Sequence, residues 1–227
     1  MISIIDYGMG NLNSVQKAFE LAVFNQNIDE QIIITNDKKI LGKSKAIILP
    51  GVGAFGEAMK NLEKLDLIDF IKISVCQEKK LFLGICLGFQ LLFEKSYELG
   101  EFDGLGIIKG EVKKFDELKM KVPHIGWNKV HFENKYFEKS EKFETSIFDG
   151  IENDSYFYFV HSYFVELDEN FENKNIDIKK FTTEYENKTF LSGINYNKNI
   201  FGVQFHPEKS QNNGIKLLEN FLKLPIK

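Results

Sequence analysis

The chain contains no arginine; every one of its 29 basic residues is lysine. Any phosphate or carboxylate it contacts must therefore be met by lysine point charges or backbone N–H groups, not by planar bidentate forks. Cysteine is almost as scarce. Only Cys76 and Cys86 occur, which excludes a disulfide framework, and no metal-ligand spacing is present, so neither metal nor cofactor is expected. No apolar run reaches spanning length and no secretory-signal pattern appears, so the expectation is a cytoplasmic protein without a membrane segment. The formal net charge is −4. With no basic surplus, nucleic acid and anionic membrane surfaces are not expected partners. What remains is 227 residues that are 43% hydrophobic, enough for a substantial core and read as one domain over 1–227.

The apolar pattern changes character along the chain. In the first half, short runs rich in β-branched residues at 2–7, 31–35, 46–50 and 81–85 alternate with amphipathic stretches at 12–25, 54–65 and 67–78. That alternation predicts βαβ units and a mostly parallel sheet flanked by helices, an α/β fold. The second half reads as strands at 111–115, 129–132, 156–165, 179–185, 191–196 and 200–205 with turn residues between them, additional antiparallel strands among them, and a closing helix at 214–224. The charged segment 133–145 reads as a surface excursion. Cys76 falls in the 67–78 helical run, where a packed thiol is expected.

Chemistry concentrates at Gly84-Ile85-Cys86-Leu87-Gly88. It follows the run Leu81-Phe82-Leu83 and precedes a helix-like run, Gln90-Leu91-Leu92-Phe93-Glu94. A cysteine with glycine two residues to either side, between strand and helix, describes a nucleophile elbow. The N–H groups of the following helix favour thiolate over thiol. A buried core cysteine between turn glycines fits the same pattern. The segment Gly202-Val203-Gln204-Phe205-His206-Pro207-Glu208 tips the balance. In an extended chain His206 and Glu208 share a side, and Pro207 favours that geometry. A carboxylate beside an imidazole orients it and stabilises its protonated form, the third part of a nucleophile–base–orienter set. His161 is the rival base, but no carboxylate lies near it in sequence.

These residues resemble the class I (triad) glutamine amidotransferases. Three more stretches, Asp6-Tyr7-Gly8-Met9-Gly10-Asn11, Val122-Pro123-His124-Ile125-Gly126-Trp127-Asn128 and Tyr156-Phe157-Tyr158-Phe159-Val160-His161-Ser162-Tyr163, are similar in type and order to the glutaminase subunits of imidazole glycerol phosphate synthase. The resemblance implies the amidotransferase fold, with Cys86, His206 and Glu208 as catalytic triad. Gly51-Val52-Gly53-Ala54-Phe55-Gly56 matches a dinucleotide-binding pattern, yet it follows the third strand and not the first, and a lone match of this kind is weak. The resemblance instead makes 50–53 an oxyanion strand, with the N–H groups of Val52 and Leu87 as donors. It further implies substrate contacts from Gly51, Gly53, Gln90, Glu98, His161, Ser162 and Tyr163, and a partner interface that includes Asn11, Trp127 and Asn128.

The implied activity is hydrolysis of L-glutamine, with ammonia passed to a (β/α)8-barrel cyclase subunit in a heterodimer. There it converts the nucleotide PRFAR to imidazole glycerol phosphate and AICAR, in histidine biosynthesis. A paralogous glutaminase subunit supplying a surface-sugar or flagellin-glycan pathway would show the same motifs. A cysteine peptidase or deglycase of the same broad fold would share the elbow alone.

Overall fold

The computed structural model describes residues 1–132, 146–168 and 177–225; the segment 133–145, read above as a surface excursion, lies outside them. The strands in the first half are β1 (Ile2–Ile5), β2 (Ile32–Thr35), β3 (Ala46–Gly51), β4 (Leu81–Cys86), β5 (Lys95–Ser96) and β6 (Phe102–Asp103). They continue as β7 (Gly110–Lys114), β8 (His124–Phe132), β9 (Ser155–His161), β10 (Tyr163–Leu167), β11 (Ile178–Tyr185), β12 (Lys188–Tyr196) and β13 (Ile200–Val203). The helices are α1 (Leu12–Gln26), α2 (Lys38–Lys43), α3 (Phe55–Lys64), α4 (Leu67–Lys72), α5 (Leu87–Gln90) and α6 (Gln211–Leu222).

Five strands in the order β2-β1-β3-β4-β13 run parallel. Side chains alternate across a strand, and both faces of this sheet are covered, as parallel sheets require. Ala46 and Ile48 of β3 enter one core with Phe19 of α1 and Leu217 of α6. Ile47 and Leu49 enter the other with Leu62 of α3 and Ile71 of α4. Beyond β13 the pairing turns antiparallel, through β12, β10 and β7 along the sheet and through β11, β8 and β9 beside it. Phenylalanine fills this half: Phe157 packs on Phe205 at 4.2 Å and Phe148 on Phe181 at 4.4 Å between ring centroids.

Three expectations change. The single strand read at 156–165 is two strands, broken at Ser162, because β9 pairs with β8 while β10 pairs with β7 and β12. The helix-like run from Gln90 to Glu94 stops after one turn. The carbonyls of Leu91, Leu92, Phe93 and Glu94 accept N–H groups from Leu105, Ile107, Gly106 and Gly104, so they are taken by another segment and not by a following helical turn. Cys76 is exposed, not packed, in a π turn that continues α4 over Ile73–Gln77.

The register of three strands creates the working edge. Gly51 at the end of β3 lies opposite Cys86 at the end of β4, and Ile85 lies opposite Val203 of β13. The close approach is possible because residue 88 has no side chain: a Cβ there would sit 1.7 Å from the Leu49 carbonyl oxygen. Gly88→Ala should therefore lower the melting temperature by several degrees, the signature of overpacking at about 1–3 kcal/mol or more. Gly42→Ala in α2, where nothing lies within 4 Å of a new Cβ, should instead be neutral or stabilise by up to about 1 kcal/mol. Calorimetry on the two variants checks the contrast.

Candidate active site

Cys86 sits at the strand-to-helix turn with φ 53° and ψ −107°, a left-handed backbone that a non-glycine residue adopts only when its surroundings enforce it. A Cβ at position 84 would come within 2.6 Å of the Gly88 carbonyl oxygen. Both glycines are thus steric necessities of the elbow, which turns the sulfur out of the strand line. The helix that follows is a single turn, so its dipole contribution is smaller than a full-length helix would supply.

His206 lies just past the end of β13, after Gln204 and Phe205. Its Nδ1 lies 2.8 Å from Glu208 Oε1. The pairing arises differently from the extended link read in the sequence: His206 is extended, at φ −101° and ψ 97°, but Pro207–Lys209 is a 3-10 turn. Ser210 clamps this turn. Its hydroxyl donates to the His206 carbonyl at 2.7 Å and accepts the Tyr158 N–H at 2.9 Å, while the His206 N–H donates to the Tyr158 carbonyl at 2.9 Å. A carboxylate can only accept, so Nδ1 carries a proton and Nε2 is the ring atom left for chemistry. Burial disfavours the imidazolium, but the charges of Cys86 and Glu208 outweigh it and hold the ring's pKa up at about 10. Nε2 is buried without an aligned hydrogen bond among the described residues. Such looseness between base and nucleophile is common before substrate binds.

A cleft of about 430 Å³ opens over the sulfur. Val52, Gly53, Leu87, Gln90, Glu98, His161, Ser162 and Tyr163 all line it, together with Cys86, His206, Pro123 and Val160. Gly51, read as a substrate contact, does not. It packs beneath the site, where a Cβ would meet the Tyr7 hydroxyl at 2.3 Å, and that hydroxyl donates to the Pro50 carbonyl at 2.9 Å. Tyr7 is a support that its motif marked without revealing its role. A larger hollow of about 530 Å³ over Phe115, Phe164 and Lys188 holds none of the candidate groups.

The polar groups in the cleft wall are oriented by carbonyls. His161 Nδ1 lies 2.8 Å from the Tyr163 carbonyl oxygen, which accepts only, so Nδ1 carries the proton. Burial holds this ring's pKa down at about 3 and that of His124 at about 4, so both are neutral and His161 Nε2 is an acceptor. Its neighbour at 3.0 Å, His124 Nδ1, must then be the donor. His124 Nε2 in turn accepts from the Asn128 amide nitrogen at 3.4 Å, an amide whose orientation is set by the Glu184 carbonyl at 2.9 Å. Both nitrogens of His161 are therefore committed, which removes it as the rival base. His124 carried no chemical signal in the sequence; only its cross-strand register opposite His161 reveals the pair. Glu98 accepts the Phe55 N–H at 2.7 Å at the start of α3, and burial raises its carboxyl's pKa.

The residues read as a partner interface separate. Trp127 is 43% exposed and Ile125 59% exposed on the outer side of β8, beside Tyr156 at 51%, which excludes a core tryptophan. Asn11 is exposed at the start of α1. Asn128 is turned inward onto His124 and Glu184. Among the described residues no cluster of His, Cys, Asp and Glu is arranged to hold a metal ion, and no helix is long and apolar enough to cross a membrane.

The class I glutamine amidotransferase family model matches residues 3–224. The imidazole glycerol phosphate synthase subunit HisH of Aquifex aeolicus is 47% identical over 96% of this chain and 94% of its own length. HisH 1 of Campylobacter jejuni is 45% identical over 99% and 100%, and HisH of Methanocaldococcus jannaschii 46% over 99% and 100%. A crystal structure of a glutamine amidotransferase shares the fold at a TM-score of 0.65 and 15% identity, covering 98% of this chain and 97% of that one. Another, from Thermotoga maritima, does so at 0.55 and 17%, covering 97% and 81%. The elbow and the His206–Glu208 pair thus lie in a class I glutamine amidotransferase, and the chain belongs within that class to the HisH family. This membership leaves the peptidase and deglycase readings without support.

The raised pKa of His206 has a testable sign. A raised imidazole contributes stability fully below its unfolded value near 6.5 and loses it as pH rises through about 10. The melting temperature should therefore fall as pH passes about 10, and fall less in His206→Asn, which calorimetry across this range checks.

Proposed function

We propose that this chain hydrolyses L-glutamine through Cys86, His206 and Glu208 and supplies the ammonia to a cyclase partner. The observation that carries the reading is a strained, cleft-lining cysteine beside an imidazole whose far nitrogen is 2.8 Å from a buried carboxylate. Glu208 holds the His206 ring, and the ring's proton on Nε2 keeps Cys86 as thiolate. The sulfur attacks the side-chain amide carbon of glutamine. The oxyanion that forms meets the N–H of Leu87, the first helical residue and so free of an intrahelical partner, and the N–H of Val52. His206 gives its Nε2 proton to the departing ammonia, and the C–N bond breaks to leave a glutamyl thioester. Water, deprotonated by the now neutral His206, cleaves the thioester to glutamate and restores the pair.

Substrate selection follows from the cleft wall. Both amide protons of Gln90 are used, one on the Tyr163 carbonyl and one on Gln204, each at 3.0 Å. Gln90 Oε1 is therefore left as an acceptor for substrate N–H groups. The Glu98 oxygen not engaged by Phe55 suits the α-ammonium, and Gly53, His161, Ser162 and Tyr163 complete the wall. The chain is read as one amidotransferase domain.

The partner is a (β/α)8-barrel cyclase of the imidazole glycerol phosphate synthase type, forming a heterodimer in which ammonia converts PRFAR to imidazole glycerol phosphate and AICAR. The names of the relatives and the exposed Trp127, Ile125 and Asn11 support it. Tryptophan is enriched where an interface carries most of its energy. A route from that surface to the oxyanion strand exists: the Met9 side chain lies against Gly53, and Gly10 against Gly51. Partner binding should therefore raise glutaminase turnover, by about 100- to 1,000-fold if it turns one oxyanion donor into place.

Cys86→Ala should abolish glutamine-dependent synthesis by the heterodimer and leave ammonia-dependent synthesis intact. Loss of both would point to misassembly and not to a missing nucleophile. Trp127→Ala should weaken heterodimer formation at least tenfold, the scale of an interface anchor, while circular dichroism of the isolated subunit stays native; titration calorimetry reads the change.

A further inference from the structure

Gln204 lies between Val203 and His206 with a fully buried side chain. Its backbone N–H is spent on the Ser192 carbonyl at 2.9 Å. Its side-chain amide touches two groups: the Gln90 amide at 3.0 Å and, at 3.8 Å, the Cys86 sulfur. An amide can present either its oxygen or its nitrogen to a neighbour, and the two orientations differ only by a flip. Here the surroundings decide.

The deciding atom is the Tyr163 carbonyl oxygen. It can only accept, so Gln90 must turn its nitrogen toward it, at 3.0 Å. The same Gln90 nitrogen faces Gln204 at 3.0 Å, so the Gln204 atom opposite it must be the oxygen. The Gln204 nitrogen is then forced onto the other side, where Cys86 lies. A flipped Gln204 would set two N–H groups against each other and leave the sulfur facing an oxygen. The His161 proton on the same Tyr163 carbonyl, at 2.8 Å, holds the root of the chain.

We propose that Gln204 is a catalytic residue, a fixed hydrogen-bond donor to the Cys86 sulfur, aimed by a two-amide relay rooted on the Tyr163 carbonyl. The inference rests on reading Cys86 as the nucleophile. The thiolate then has two donors of different kinds. The His206 proton leaves with ammonia in the first half of the reaction. The Gln204 N–H stays in place throughout, because an amide does not ionise in this range. Its value is largest in the second half: when water attacks the thioester and the C–S bond breaks, the bonding electron pair returns to sulfur, and the Gln204 N–H meets the charge that develops there. Gln90 thus serves the substrate through its oxygen and the nucleophile through its nitrogen.

The test is Gln204→Met in a Cys76→Ser background, since methionine keeps the length and removes the donor. Removing a hydrogen bond to a charged group is worth about a tenfold effect or more. The pH at which Cys86 alkylation by iodoacetamide reaches half its maximum should therefore rise by about one unit, and thioester breakdown in single-turnover hydrolysis should slow by at least tenfold. A folded variant, native by circular dichroism, with an unchanged alkylation profile and unchanged thioester breakdown would overturn the proposal. If the variant does not fold, glutamine-selective ¹⁵N labelling of the Cys76→Ser protein decides: the Gln204 side-chain N–H₂ signals should move on alkylation of Cys86, and unmoved signals overturn the proposal. Absence of any Cys86 alkylation at neutral pH in the otherwise unaltered protein would instead defeat the underlying glutaminase reading, so the two failures are distinct.

Discussion

The site depends on the parallel register of β4 between β3 and β13. That register sets Gly51 opposite Cys86 and Ile85 opposite Val203, so the 50–53 segment, Cys86 and the chain leading to His206 leave the sheet at one edge. Functional groups in open α/β sheets gather at such carboxyl ends because the loops there diverge and leave a crevice. The spacing is tight enough that Gly88 must lie against the Leu49 carbonyl. The strained backbone of Cys86 is held in place by this packing, with two hydrophobic cores pressing the sheet from either side.

Within that frame, backbone carbonyls organise the polar chemistry. The Tyr163 carbonyl takes the His161 proton and a Gln90 proton, and those two contacts fix the orientation of everything beyond them. His161 becomes a neutral acceptor for His124, and the Gln90 nitrogen faces both the Tyr163 carbonyl and Gln204. Of the three imidazoles in and behind the cleft wall, the one left to ionise is His206, where Cys86 and Glu208 overcome the cost of burial. Two buried histidines are thus driven toward the neutral form and a third toward the charged form by surroundings that differ in one respect, the presence of opposite charge.

Much of this was legible in the chain. The βαβ alternation and the apolar strands gave the parallel sheet, and Gly84, Cys86 and Gly88 marked the elbow because only glycine fits at both flanks. His206 and Glu208 were legible as a pair, though by a turn and not by an extended link. What escaped depended on distant partners. The break at Ser162 follows from β9 and β10 pairing with different strands. The early end of α5 follows from its carbonyls being claimed by residues 104–108. His124, Tyr7 and Gln204 act through neighbours far away in sequence, and no local periodicity or spacing encodes such contacts. Asn128, which the resemblance placed toward a partner, turns its amide toward His124 and the Glu184 carbonyl.

The proposed chemistry stands or falls on Cys86 carrying the glutamyl group. Mixing the heterodimer with glutamine, quenching in acid within one turnover and measuring the intact mass of this subunit tests it most directly. A single glutamyl adduct should appear, mapped by peptide analysis to Cys86 and absent from Cys86→Ala. An adduct on Cys76, or glutamine hydrolysis that persists in Cys86→Ala, would contradict it.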